Sequence, residues 1–191
     1  MVRVSRDKVA ENRDALLDAA GRLFRQYGVD GVGVAELCKA AGITHSVLYA
    51  HFGSKEGLAA AAFRHGQRAS NERLLRASGK NPDLAALLAA YVSRRQRDNA
   101  EHCCPMLASA SEAARNGEEY QLAFQQAFDE LVDLIGKTGE EPAARQRDLL
   151  AAAMIGVVAV ARALKPVDPL RSDALLKTAQ DRLPALLQAP A

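Results

Sequence analysis

Between Gly42 and Lys55 the chain places polar side chains at a spacing suited to contact with nucleic-acid edges. His45, Ser46, Val47, Tyr49 and His51 take the outward positions of a short helix expected over about 45–52. An imidazole and a hydroxyl, as at His45 and Ser46, can hydrogen-bond base edges, and a branched apolar group such as Val47 can pack on a thymine methyl. Thr44, Tyr49 and Lys55 are suited to phosphate, and the start of the next helix at Ser54–Lys55 offers backbone N–H groups to an anion. Arg3 and Arg6, ahead of the first helix, can lie along a phosphate backbone or reach a minor groove. The alternative for all of these residues is an ordinary helical hairpin in a bundle.

The elements that must hold this face follow from periodicity and punctuation. Leu16, Ala20, Leu23, Phe24 and Tyr27 recur at helical spacing within a helix expected over 7–27, and Gly28 ends it. Gly31-Val32-Gly33 reads as a turn, and a second helix runs over about 34–41. Gly42 breaks that helix, and Thr44 stands where an N-cap for the third is wanted. Leu37, Cys38, Ile43 and Leu48 can close a small core against Leu16, Ala20, Phe24 and Tyr27. Two short helices joined by a glycine turn form the helix-turn-helix arrangement, here over 33–52, and its second helix is then free to enter a major groove.

Bulk properties bound the rest. The 191 residues carry a formal charge of +2, a weak signal, but residues 1–55 hold eight basic residues against six acidic ones. Half the chain is hydrophobic, Ala and Leu dominate, and no alternating strand pattern occurs, so the fold class is all-α with about nine helices. A head over 1–55 would sit on a body over 56–191. The three cysteines, Cys38, Cys103 and Cys104, are too few for a disulfide framework and fit a reducing cytoplasm. His45, His51, His65 and His102 show no metal-ligand spacing, no nucleophile–base pairing is readable, and no Gly-rich phosphate loop is present, so neither a metal, a cofactor nor an enzyme is expected. The run Leu149–Ala161 is too short to span a bilayer.

Residues 11–63 resemble the DNA-binding head of the TetR/AcrR family of transcriptional regulators. The resemblance rests on LLDAAGRLF, the AAGIT turn, LYAHF and the SKE that follows. It implies an all-α homodimer, usually a repressor, whose body binds a small effector. Two departures stand out. The family often has Thr or Ser where this chain has Gly33-Val34, so a phosphate grip there must come from backbone N–H groups. It often has a small Gly-Thr pair where Ser46-Val47 stands, which implies a different operator preference. A shorter segment, CCPMLASASEAARN from Cys103, resembles a helix lining the effector cavity in one branch of the family.

For the body, helices are expected over about 55–78, 83–98, 106–114, 118–137, 143–164 and 170–187, with Pro184 kinking or ending the last. Tyr91, His102, Cys103, Met106, Tyr120, Phe124, Phe128 and Met154 are the larger or polarisable residues there. A cavity lined by them would take an apolar or aromatic molecule, although the Tyr120–Phe124–Phe128 stripe equally reads as core. Helix 143–164 is apolar nearly all round, which calls for a second subunit over one face. Ala153, Gly156, Val157, Val160, Leu175, Leu176, Ala179 and Leu183 are its expected interface, and two heads roughly 34–36 Å apart or more would read a palindrome. Rival readings are an activator or ligand-independent DNA binder, a thiol sensor through Cys103 and Cys104, and a small helical enzyme using either cysteine.

Overall fold

The computed structural model describes residues 6–79, 82–138 and 144–187. Among these the chain forms ten α-helices and two 3-10 turns, with no strand. The head comprises α1 (Arg6–Tyr27), α2 (Val34–Ala41) and α3 (His45–Phe52). The body comprises α4 (Lys55–Ser78), α5 (Leu84–Tyr91), α6 (Arg94–Asp98), α7 (Pro105–Ser109), α8 (Glu118–Gly136), α9 (Ala144–Leu164) and α10 (Pro169–Arg182). The 3-10 turns are Ala113–Arg115 and Leu183–Leu187. Arg3, and Ala143 at the start of the helix expected over 143–164, lie outside the described residues.

In the head, α2 and α3 have the expected bounds. Gly42 ends α2 at φ 66°, a left-handed conformation that costs a side-chain-bearing residue about 1 kcal/mol, and its N–H caps the carbonyls of Cys38 and Lys39. Leu16, Leu17, Ala20, Leu37 and Leu48 are fully buried and lock the three helices together. Tyr27 is not part of this core, being 60% exposed. Val29 and Val32, from the segment read only as a turn, are buried instead, because the chain doubles back after Gly28 (φ 76°).

The long helix α4 is shared by the two parts of the molecule. Leu58, Ala59, Ala62 and Phe63 are buried, and the helix packs on α1 at one end and on α5, α7 and α8 along the rest. Ser54 caps it by accepting from the Gly57 N–H at 3.0 Å.

The helix expected over 83–98 is two helices. Val92 closes α5, and Ser93 caps α6 by accepting the Gln96 N–H. The break is held by side chains from far along the chain. Gln180 donates to the Val92 carbonyl at 2.7 Å, and Arg162 donates to the Gln96 and Arg97 carbonyls at 2.7 and 2.9 Å. These contacts satisfy carbonyls that a broken helix would leave open. The helix expected over 106–114 is likewise shorter, reduced to α7 and a 3-10 turn. The last helix gives way to 3-10 geometry at Leu183, beside Pro184.

Candidate nucleic-acid interface

The outward face of α3 is built by what its inward face must bury. Leu48 has no exposure and Phe52 is half-buried, so the residues opposite them stand in solvent: His45, Ser46, Tyr49 and Ala50. Tyr49 is 49% exposed. Val47 and His51 were expected on this face, but each is half-buried beside a core neighbour. Ala50, not singled out in the sequence, takes the vacated position. Thr44 is exposed at the start of α3, and its hydroxyl makes no capping bond, which leaves it available to a phosphate.

At the start of α2, Gly33 is exposed and extended (φ −80°, ψ 152°), and no side chain caps the helix. Its carbonyl accepts from the Glu36 and Leu37 N–H groups, so the N–H groups ahead of them, at Val34 and Ala35, face no intrahelical partner. The start of α4 differs. The Glu56 carboxyl is held below its usual range by its own backbone N–H and the Ser54 hydroxyl, while Ser54 takes the Gly57 N–H. That terminus already carries a carboxylate, and Lys55, half-buried at its first position, is the cation beside it. Arg13 from α1 lies over the Phe52 ring at 5.4 Å and brings a further cation to the end of α3.

Residues 16–62 match the model for "Bacterial regulatory proteins, tetR family". The chain carries a TetR-family head. It is 41% identical over 58 residues to the HTH-type transcriptional regulator AcrR of Shigella flexneri, covering 30% of this chain and 27% of that protein. It is 47% identical over 47 residues to the HTH-type transcriptional repressor ComR of Escherichia coli, covering 25% of this chain and 22% of that one. The match thus spans about a quarter of each of these relatives. The whole fold is similar to a TetR-family regulator from Cytophaga hutchinsonii, with a TM-score of 0.72 over 99% of this chain and 100% of that one at 20% identity. A TetR-type head is the DNA-binding part of such regulators.

Of the residues expected to line an effector cavity, His102 lines a cleft with Arg73 and Arg95, and Tyr120 lines a second one with Phe24 and Phe63. Tyr91, Met106 and Met154 are buried in the core, and His102 is exposed. Tyr120 packs its ring on Phe63 at 5.2 Å, with half-buried Phe124 beside Phe63 at 6.0 Å, and Phe128 is half-buried further along α8. Cys103 and Cys104 are both buried. Burial pushes the Cys104 thiol up, away from the thiolate that reactivity needs, and its Sγ reaches Gln67 Oε1 at 3.4 Å. Burial likewise raises the Tyr91 phenol, whose hydroxyl has no oxygen or nitrogen partner and meets the Cys104 thiol.

Along α9, Leu149, Ala152, Gly156 and Val160 form an open apolar stripe, with Leu149 55% and Val160 52% exposed. Ala153, Val157 and Leu175 are half-buried at its edge. Leu176, Ala179 and Leu183 are buried within the chain, where they pack α10 and the turn after it onto α9. No helix among the described residues is long and apolar enough to cross a membrane, and no group of three or more His, Cys, Asp or Glu among them could hold a metal ion.

Proposed function

We propose that this chain is a dimeric transcriptional repressor that binds a palindromic DNA operator and is released from it by a small effector. The observation that carries the reading is the α3 face. His45, Ser46 and Tyr49 stand exposed together, on a head whose α2 N-terminus no side chain caps and whose core has no exposure at Leu16, Leu37 and Leu48. Tyr49, Thr44, Lys55 and the Gly33–Val34 backbone hold phosphates. His45 and Ser46 read bases, and Val47 contributes from the edge of the face. Arg3 adds a backbone or minor-groove contact.

The dimer follows from the α9 stripe. An exposed apolar row over residues 149–160 of a 21-residue helix marks an interaction surface, and a twofold partner presents the same row to it. The boundary between the parts falls at the start of α4, with 1–55 reading DNA and 56–191 binding effector and partner. Because α4 packs on both α1 and α8, it carries the effector's influence to the head as a shift between two spacings. The thiol-sensor alternative is disfavoured by the burial of both cysteines.

Selection of bound sequences from a random DNA pool tests this directly. The expected product is an inverted repeat whose half-sites are separated by a turn of the duplex or somewhat more. Recovery of no enriched sequence at low salt would falsify the DNA-binding reading, and a single unrepeated half-site would remove the dimer.

A further inference from the structure

A second arrangement of chemistry lies between α4, α5, α6 and the loop over 99–104. It is a shallow cleft, partly open to solvent, with Arg73, Arg95, Gln96, Asn99 and His102 on its polar side. Leu74, Ala77 and Ala90 form the apolar side.

The polar side offers donors. Asn99 Oδ1 accepts the His102 N–H at 3.1 Å, and Gln96 Oε1 accepts the Cys104 N–H at 3.0 Å. Each amide oxygen is therefore spent on the loop, which leaves the two NH2 groups as donors. The Arg95 guanidinium makes no hydrogen bond or ion pair among the described residues. Arg73 donates only to the His102 carbonyl, at 3.0 Å. No carboxylate lines the cleft. Partial burial and the like charges of Arg95 and Arg76 make the Arg73 guanidinium easier to deprotonate than usual, as expected of a cation without a counter-ion.

We propose that this cleft binds a small organic carboxylate, with its charged end between Arg73 and Arg95 and its apolar body on Leu74, Ala77 and Ala90. Planar guanidinium groups match a carboxylate's two oxygens, and the two amides supply further donors. A bare inorganic anion would leave the apolar side unused, and a neutral apolar molecule would leave two cations unpaired.

The site has a route to the head. The loop over 99–104 is held from two directions: Arg73 of α4 donates to the His102 carbonyl, and Arg25 of α1 donates to the Glu101 carbonyl through Nε at 2.7 Å and again through Nη2. Gln26 adds a bond to the Glu101 carboxylate at 3.2 Å. A carboxylate that draws the Arg73 guanidinium toward Arg95 pulls on its bond to the His102 carbonyl, and the loop so loosened is the one that grips α1. This makes the carboxylate the effector, a step that rests on the effector-released reading above.

The test uses the full-length protein and 4-fluorobenzoate as probe, followed by 19F NMR, with operator binding measured separately by fluorescence anisotropy. The expected result is saturable broadening of 4-fluorobenzoate that benzoate competes away, with none for the neutral 4-fluorobenzamide. Arg95→Gln removes a side chain with no partner, so it keeps the thermal midpoint of the parent; it is expected to weaken probe binding at least tenfold. No saturable binding, equal binding of the amide, or unchanged binding by Arg95→Gln overturns the site. Competition by inorganic phosphate as strong as that by benzoate overturns the assigned ligand class. A probe that binds as described while the protein retains no DNA affinity leaves the carboxylate site standing and sinks the regulator reading instead. A probe that binds but leaves operator affinity unchanged removes the route through Arg73 and Arg25.

Discussion

At position 49 a phenol stands half exposed in the middle of the α3 face, with an imidazole and a hydroxyl one turn before it. These side chains are expected to do different work. Tyr49→Ala should lower affinity for every DNA sequence by a similar factor, because a phosphate contact carries no base information. His45→Ala should reorder sequences, with a loss of roughly 1–3 kcal/mol confined to the site it reads. Anisotropy titrations over a panel of single-base operator variants separate the two, and a reordered panel from Tyr49→Ala would reverse the assignment. The exposure of His45, Ser46 and Tyr49 was legible from helical period alone. That of Val47 and His51 was not. In a helix of eight residues the buried side is wide, and residues adjacent to Leu48 and Phe52 are drawn partly under cover. The Glu56 carboxylate at the start of α4 was equally hidden, since its bonds to its own N–H and to Ser54 depend on local geometry rather than on residue type.

Among the elements, α2, α3 and the start of α4 could be read from Gly42, Thr44 and Ser54, because each boundary is set by residues within a turn of it. The break between α5 and α6 could not. LLAAYVSRRQRD looks continuous, and the groups that stabilise its interruption, Gln180 and Arg162, come from α10 and α9. The same junction holds Arg97, only 4% exposed, between Asp98 at 2.6 Å and Asp173 at 2.7 Å, with Lys165 also on Asp98 at 2.9 Å. The hydrogen-bonded Arg97 guanidinium, with Lys165 adding to it, holds the Asp98 carboxyl down to about 2, and Arg97 lowers Asp173 as well. A carboxyl whose folded value is depressed contributes stability that is full above its unfolded value, near 4, and is lost as pH falls through about 2. Urea unfolding at pH 5 and pH 3 should therefore show a loss of stability in the parent. Asp98→Asn should be less stable at pH 5 and should show a smaller further loss at pH 3. An identical pH dependence in parent and variant would remove this junction from the acid response.

For the molecule as a whole, the proposed dimer rests on the open α9 stripe. Gly156 lies in its middle, and a Cβ built there meets nothing within 4 Å. Gly156→Glu should therefore fold normally as a single chain while placing a charge in the centre of the subunit contact. Sedimentation velocity should show a dimer for the parent and a monomer for the variant, with operator affinity falling as the second head is lost. A variant that remains dimeric would move the interface off α9. That this helix would leave an apolar face open was legible in Leu149–Ala161, because the run is apolar nearly all round. Which face was not: Leu176, Ala179 and Leu183 have the right composition for an interface but are used up within the chain.

The amino-acid sequence alone determined the all-helical fold, the helix-turn-helix, the family of the head and most of the α3 face. Each of these rests on short-range periodicity, on caps and on glycine punctuation, which act within a few residues. Only the tertiary structure decided that Tyr91, Met106 and Met154 are buried in the core and that Tyr27 stays outside the head core. It alone brought Arg73, Arg95 and the spent amides of Gln96 and Asn99 to one cleft. Those outcomes depend on which distant side chain reaches a given carbonyl or void first, and no local pattern encodes that competition.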